Sequence, residues 1–465
     1  MLGRLIRGLL LAIGLGALYM ITSRWQHDRR EEVLRWYRKR PSQPRKRIVV
    51  LGGGFGGLFT TLYLADALRS DPDVEIVLVD RHNFHLFTPL LTTVAAGLID
   101  SQHVAYPIRR LERRSTFLFR ESEVVGIDLD KKMVHLSDGE LNYDYLVLSL
   151  GGVTNFFNMK DVERLAFPFK SVGDAIRLRN EFINRFEEAA WESDPDERRR
   201  LLTFVFCGGG ATGVELAATM RDFIFESLIE EYPGLNKDEV RLILVEAHPR
   251  ILPSVSTYIS TVAHNKLLSK GIEVRVGTRI ARVIEDEAGK LKAVETQDGE
   301  QVPTSTLIWT AGIEANPLVA ALPIEKGKGG AIVVDKYLSV PGHPGVYALG
   351  DDANVTHPRT GQPLPPDAKV AVRLAQWVAR NVVNELRGRS KEEFKYEHVG
   401  ELILLGVNSA VAEVKGVRLS GLPAFILWRS FYFGRLLGME SKARVAWDYL
   451  YGLFAERDTA QLDIA

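Results

Sequence analysis

Residues 45–68 read RKRIVVLGGGFGGLFTTLYLADAL. Ile48 to Leu51 is an unbroken apolar run, the pattern of a strand covered on both faces. Gly52, Gly54 and Gly57 follow at G-x-G-x-x-G spacing, and a helical pattern starts at once. A second apolar run, VEIVLVD, ends in Asp80, 23 residues past Gly57. Strand, glycine turn, helix, strand and acid in that order form a dinucleotide site. The turn lets backbone approach a pyrophosphate, the helix N-terminus faces it, and the acid meets a ribose hydroxyl.

The pattern recurs at LLTFVFCGGGATGVELAATM. Gly208, Gly210 and Gly213 repeat the spacing between a strand and a helix, and the next strand, RLILVE, ends in Glu246. A terminal carboxylate suits a free 2′-hydroxyl and repels a 2′-phosphate, which favours NADH over NADPH. Two such units in one chain indicate a flavin site and a nicotinamide site. A nicotinamide unit nested in a flavin domain requires a return segment. GVYALGDDANV supplies one, a strand ending in Gly350-Asp351. PPDAKVAVRLAQW follows it. Pro365 and Pro366 precede a helix start, Asp367 offers an N-cap oxygen, and Lys369 and Arg373 share one helix face.

The expected architecture is α/β, with two Rossmann-like dinucleotide-binding domains, the NAD domain inserted in the FAD domain. Residues 47–155 and 314–390 form the two parts of the FAD domain, and residues 156–313 form the NAD domain. An N-terminal membrane anchor with its basic linker spans 1–46, and a membrane-associating helical region spans 391–465.

Charge sums to zero over 465 residues but is unevenly placed. Residues 1–47 hold twelve Lys or Arg and three acids, a net charge of +9. The body is therefore acidic, and nothing in it indicates a nucleic-acid surface. Between Arg7 and Arg24 lie sixteen uncharged residues, GLLLAIGLGALYMITS. That length is short for a ~30 Å hydrocarbon core, but Arg7, Arg24 and Trp25 can lengthen it at the interfaces. An uncleaved anchor is the preferred reading, against a signal peptide or a mitochondrial presequence. The basic flank on its C-terminal side places the body on the cytoplasmic face of a cell membrane; a mitochondrial inner membrane is the alternative. Near the other end, LPAFILWRSFYFGRLLG and VAWDYLYGLF are apolar, aromatic and interrupted by Arg429 and Arg435. They fit helices lying in a lipid interface or pairing two copies of the chain.

Cys207 is the one cysteine. It excludes an intramolecular disulfide, a cysteine-ligated iron–sulfur cluster and a catalytic dithiol, and it reads as a small buried residue ending a strand. No metal site is expected.

By these features the chain resembles the type II NADH:quinone oxidoreductases, single-subunit respiratory dehydrogenases that do not pump protons. The resemblance runs from about residue 47 to the C-terminus. It rests on LGGGFGG, HNFHLFTPLLTTVAAGLID, YDYLVLSLGG, FPFKSVGDAIRLRNEF, GGGATGVELA, IWTAG, ALGDDANV, the PPDAKVAVRLAQW helix and YEHVGELILLG. It implies a non-covalent FAD that takes hydride from NADH and passes two electrons to a membrane quinone. By position, FAD falls to Gly52, Gly54, Phe55, Gly56, Gly57, Asp80, Arg81, Pro89, Leu90, Gly350, Asp351, Ala368 and Lys369. NADH falls to Gly208, Gly210, Ala211, Thr212, Gly213, Glu215, Glu246, Ala311 and Gly312, with Glu215 near the nicotinamide. Lys369 and Arg373 stand where the quinone is expected, and Lys369 replaces the family's usual glutamine. Glu215 and Lys369 are the catalytic candidates. Partners expected are a quinone, a lipid bilayer and, left open, a second copy of the chain. The alternatives are an NADH-dependent reductase serving a redox protein, and a membrane-tethered flavoprotein that does not turn over.

Overall fold

The computed structural model describes residues 33, 34, 36 and 45–462. The expected anchor over residues 8–23 lies outside the described residues. Among the described residues, no helix is long and apolar enough to cross a membrane.

The chain divides into two compact units. The first comprises residues up to His85, Pro107–Gly152 and Ala315–Tyr396. Its five-stranded sheet runs in the order Val346–Ala348, Tyr145–Leu148, Lys46–Leu51, Val74–Asp80, Leu118–Glu121, and every pairing is parallel. Ile48, Val49, Val50 and Leu51 are wholly buried, as strands covered on both faces must be. The helix Phe55–Ala67 packs along Ala368–Leu386, and the latter buries the stripe Val370, Leu374, Ala375, Val378 and Val382. A three-stranded antiparallel meander, Val124–Asp128, Met133–Leu136 and Gly139–Asn142, completes the unit.

The second unit comprises Leu86–Tyr106, Val153–Glu314 and the residues from Glu397 onward. Its sheet runs Phe167–Pro168, Thr306–Trp309, Thr203–Cys207, Arg241–Glu246, Glu273–Val276, again all parallel. A meander follows here too, Ile280–Glu285, Leu291–Thr296 and Gln301–Pro303. The same plan is therefore built twice. In each sheet the strand that opens the glycine turn lies inside, so the loop leaving its C-terminal end opens where ligands bind in parallel sheets.

The C-terminal part of this unit is an antiparallel sheet, Gly400–Leu404, Ala410–Val414 and Val417–Gly421, covered by the helix Leu422–Arg435. Ala424 and Trp428 are buried on that helix, while Leu422 and Ile426 face outward. The helix Gly438–Tyr451 follows, with Val445 buried and Trp447, Leu450 and Tyr451 outward.

Candidate functional site

The two glycine loops are near copies in their details. Gly52 has φ +101° and Gly208 φ +112°, a region open to glycine at low cost. A Cβ on Gly57 would fall 1.9 Å from the Gly52 oxygen, and one on Gly213 1.8 Å from the Gly208 oxygen. Neither tight turn admits a side chain. A Cβ on Gly54 or Gly210 would meet nothing within 4 Å, so these glycines face open space that a ligand can enter closely. Gly54 and Gly210 also N-cap the helices Phe55–Ala67 and Ala211–Glu226, and neither helix has a side-chain cap or an acid in its first turn. Their first N–H groups are left for an anion.

The acids expected at the strand ends grip the loops. Asp80 accepts the Gly53 N–H at 2.6 Å on Oδ2 and the His82 N–H at 2.7 Å on Oδ1. Glu246 accepts the Gly209 N–H at 2.6 Å on Oε2 and the His248 N–H at 2.7 Å on Oε1. Each carboxylate has lone-pair capacity left for a ribose hydroxyl.

Within the first unit the fold gathers most of the expected FAD residues. Gly56 lies beneath Ser149 and Leu349, and the turn Gly350–Asp352 sits against the start of the helix Ala368–Leu386. Gly350 has φ +70°. Asp351 Oδ2 accepts the Gly152 N–H at 3.2 Å. Asp367 caps the helix through its Oδ1, which accepts the Lys369 N–H at 2.7 Å. Lys369 Nζ lies 3.5 Å from the same carboxylate, so its charge is paired rather than free. Arg81 and Arg373 are exposed. Pro89 and Leu90 belong to the second unit, in the turn Thr88–Leu90.

Within the second unit Gly208 lies against Thr310 and Ala311, and Ala211 and Thr212 stand exposed at the helix start. Gly312 instead closes on the ring of Phe157. Glu215 Oε1 accepts the Leu404 N–H at 2.9 Å. Two turns later Asp222, fully buried, is held by Lys270 Nζ at 2.5 and 2.7 Å and accepts the Val407 N–H at 2.7 Å. One helix face thus holds the end of the strand Gly400–Leu404 and the turn after it on two carboxylates. Cys207 is buried at its strand end, and burial raises its thiol above the ordinary range.

Two residues of the first unit were not singled out by the sequence. His85 is buried; its Nδ1 lies 2.9 Å from the Gly53 oxygen and its ring meets Phe55 edge-on at 4.8 Å. Burial lowers its pKa to about 4. Asp352 is wholly buried, and its Oδ2 accepts the Gly151 N–H at 3.1 Å. Burial, with Asp351 adjoining, raises its pKa to about 8. The signal for His85 was its place in HNFHLFTPLL; for Asp352 it was the doubled acid in GDD. Among the described residues no group of His, Cys, Asp and Glu is disposed to hold a metal ion.

Two parallel sheets, each ending in an uncapped glycine helix with an acid beside it, define a reductase of the two-dinucleotide flavoprotein class. Residues 46–375 match the family described as pyridine nucleotide-disulphide oxidoreductase. The type II NADH:quinone oxidoreductase Ndh of Mycobacterium tuberculosis is 32% identical over 86% of each chain. That of Staphylococcus saprophyticus is 30% identical over 82% of this chain and 93% of its own. The structure of NDH2 from Plasmodium falciparum in complex with NADH has the same fold, with a TM-score of 0.79 at 19% identity over 90% of this chain and all of that one. The chain belongs to the pyridine nucleotide-disulphide oxidoreductases and, within them, to the type II NADH:quinone oxidoreductases.

Proposed function

We propose that this protein is an NADH dehydrogenase that passes two electrons from NADH through FAD to a membrane quinone, without moving protons across the membrane. The observation that carries the reading is the duplicated glycine loop, each copy uncapped, open at Gly54 or Gly210 and gripped by its own strand-end acid. The residues fit two dinucleotides, FAD at the first loop and NADH at the second. FAD held at the first loop would supply the two-electron chemistry that links hydride uptake to quinone reduction.

The chain's own residues bind, orient and bias. The N–H groups following Gly54 and Gly210 meet the pyrophosphates. Asp80 and Glu246 meet ribose hydroxyls, and Glu246 disfavours the 2′-phosphate of NADPH. Asp351 stands at the turn that leads to the helix Ala368–Leu386, whose N-terminus favours negative charge on a reduced flavin. Lys369 adds charge there, reduced by its pairing with Asp367. Pro89 and Leu90 would pack on the flavin ring, Ala311 and Gly312 on the nicotinamide, and Arg373 would face the quinone. Glu215 would sit near the nicotinamide while its Oε1 stays on the Leu404 N–H.

Membrane contact belongs to the same proposal. Leu422, Ile426, Trp447, Leu450, Leu453 and Phe454 are all at least half exposed, Phe454 at 85%. Exposed apolar and aromatic residues on two successive helices and the turn after them suit an interfacial position. The basic flank after residues 8–23 favours the cytoplasmic side. A second copy of the chain could cover the same residues, and flotation with vesicles separates the two.

Anaerobic addition of NADH to the purified holoenzyme should bleach the flavin absorbance, and quinone should restore it within the turnover time. Bleaching that no quinone reverses would remove quinone as the acceptor and leave the dehydrogenase.

A further inference from the structure

Each glycine loop holds the residue before its N-cap by both its N–H and its carbonyl oxygen, and the two loops do so differently. In the second loop the Gly209 N–H goes to Glu246 and the Gly209 oxygen accepts the Leu252 N–H at 2.7 Å. The holding donor is backbone. In the first loop the Gly53 N–H goes to Asp80 and the Gly53 oxygen meets His85 Nδ1 at 2.9 Å. Here a side chain does what backbone does in the other copy.

The consequence follows from the planarity of the peptide bond. The Gly53 carbonyl and the Gly54 N–H belong to one trans peptide and point in opposite directions. Whatever fixes the carbonyl therefore aims the N–H. Gly54 is the N-cap of the helix Phe55–Ala67, and a Cβ there would meet nothing within 4 Å. The Gly54 N–H is thus turned away from His85.

The tautomer is fixed by the same bond. A carbonyl can only accept, so Nδ1 must carry the proton and Nε2 is left as an acceptor. Nε2 is buried with no hydrogen-bond partner among the described residues. The ring is held by Phe55 at 4.8 Å and by Phe59 at 6.3 Å, both edge-on. Aromatic packing on a neutral ring keeps the donor on its carbonyl.

We infer that His85 is a positioning residue for the FAD site: it orients the Gly53–Gly54 peptide so that the N-cap N–H addresses the pyrophosphate. This rests on the assignment of FAD to the first loop. His85 does not touch the reacting ring; it acts through Gly53.

The test compares His85→Asn with His85→Leu in the full-length holoenzyme. Asparagine keeps an N–H at the δ position, whereas leucine fills similar space without a donor. Dilution of each holoenzyme, with released FAD read by its fluorescence, gives the apparent dissociation constant. Leucine should weaken FAD about tenfold or more, and asparagine should stay within about threefold of wild type, since loss of one buried hydrogen bond is on that scale. NADH affinity should be unchanged in both, because the second loop uses the Leu252 N–H. Should the leucine variant fail to fold, His85→Gln carries the same expectation, its amide lying one carbon too far out. Wild-type FAD retention in the leucine or glutamine variant would overturn the inference. So would equal losses in the asparagine and leucine variants. Wild-type protein that never carries FAD would instead overturn the flavin assignment itself.

Discussion

Lys369 Nζ lies 3.5 Å from Asp367 Oδ2, and the Lys369 N–H is bonded to the other oxygen of that carboxylate at 2.7 Å. A cation in the first turn opposes the helix dipole, and an anion at the N-cap favours it. The pair places both at one helix start, so the field at that end is set by their difference.

Separating the two charges should shift the flavin potential in opposite directions. Asp367→Asn keeps an N-capping oxygen but removes the negative charge, which should raise the potential. Lys369→Gln removes the positive charge and should lower it. A displacement on the order of 20 mV each way is expected for partly exposed charges. Spectroelectrochemistry of the holoenzyme measures it. Equal potentials in wild type and both variants would mean that neither charge acts on the flavin.

Glu246 grips Gly209 and, in the proposed function, meets the ribose, so its substitution should show two effects. Glu246→Gln loses the repulsion toward a 2′-phosphate, and the ratio of kcat/KM for NADPH over NADH should rise about tenfold. The amide can satisfy only part of the Gly209 and His248 N–H pair, so kcat/KM for NADH should fall as well. Steady-state rates with both nucleotides decide it. An unchanged ratio would show that the carboxylate does not face the 2′ position.

The dinucleotide units were legible in the sequence because their signals are local. Glycine spacing, the apolar strand and the terminal acid all sit within about forty residues, and a parallel βαβ unit closes over that span. The Asp367 cap was legible for the same reason. His85 and Asp352 were not, because their roles depend on burial. Asp352 meets Gly151, which lies 201 residues away, and no periodicity announces such a contact. His85 is 32 residues from Gly53, outside the fingerprint's own logic. The grip of Glu215 and Asp222 on Leu404 and Val407 spans more than 180 residues and was equally hidden. Cys207 was read as a buried strand end, which its position inside an apolar strand already implied.

Trp447 and Phe454 are 62% and 85% exposed, and replacing both by serine should weaken lipid binding without unfolding the protein. Removing two large apolar side chains from an interface costs about 3 kcal/mol, or roughly a hundredfold in partition coefficient. The effect should show in a chain lacking residues 1–23, bound to anionic vesicles and read by flotation. Unchanged flotation would mean that these helices do not enter the lipid.

Asp352 is buried as an acid whose pKa lies near 8, whereas an unfolded aspartate ionises near 3.8. Between those values the folded state holds a proton that the unfolded chain has lost. Stability therefore falls as pH rises through that window, by at most about 1.4 kcal/mol per pH unit. Asparagine mimics the neutral acid and can still accept the Gly151 N–H. Asp352→Asn should accordingly lie closest to wild type at the acid end, near pH 4.5, and exceed it increasingly toward pH 8. Urea unfolding at both ends of the range tests this. A constant gap between the two proteins would mean that Asp352 is ionised in the fold.

His85 gives the opposite slope on the acid side. Its folded pKa is lowered to about 4 from an ordinary 6.5, chiefly by burial, with Gly53 and Asp80 opposing. Above pH 6.5 the ring is neutral folded and unfolded, so its titration contributes nothing. Below that value the unfolded chain takes up a proton that the folded ring refuses, and stability falls until about pH 4. The whole fall is about 3 kcal/mol, of which about 2 kcal/mol is spent by pH 5. The chain has ten histidines, so the absolute stability of wild type is a poor readout. The difference between wild type and His85→Asn isolates this one ring, because asparagine does not titrate and the other nine are common to both. That difference should shift in favour of the variant by about 2 kcal/mol between pH 7 and pH 5. FAD retention should stay constant over this range, because the folded ring remains neutral until the pH approaches 4. A difference that stays constant over this range would mean that His85 titrates normally and is open to water.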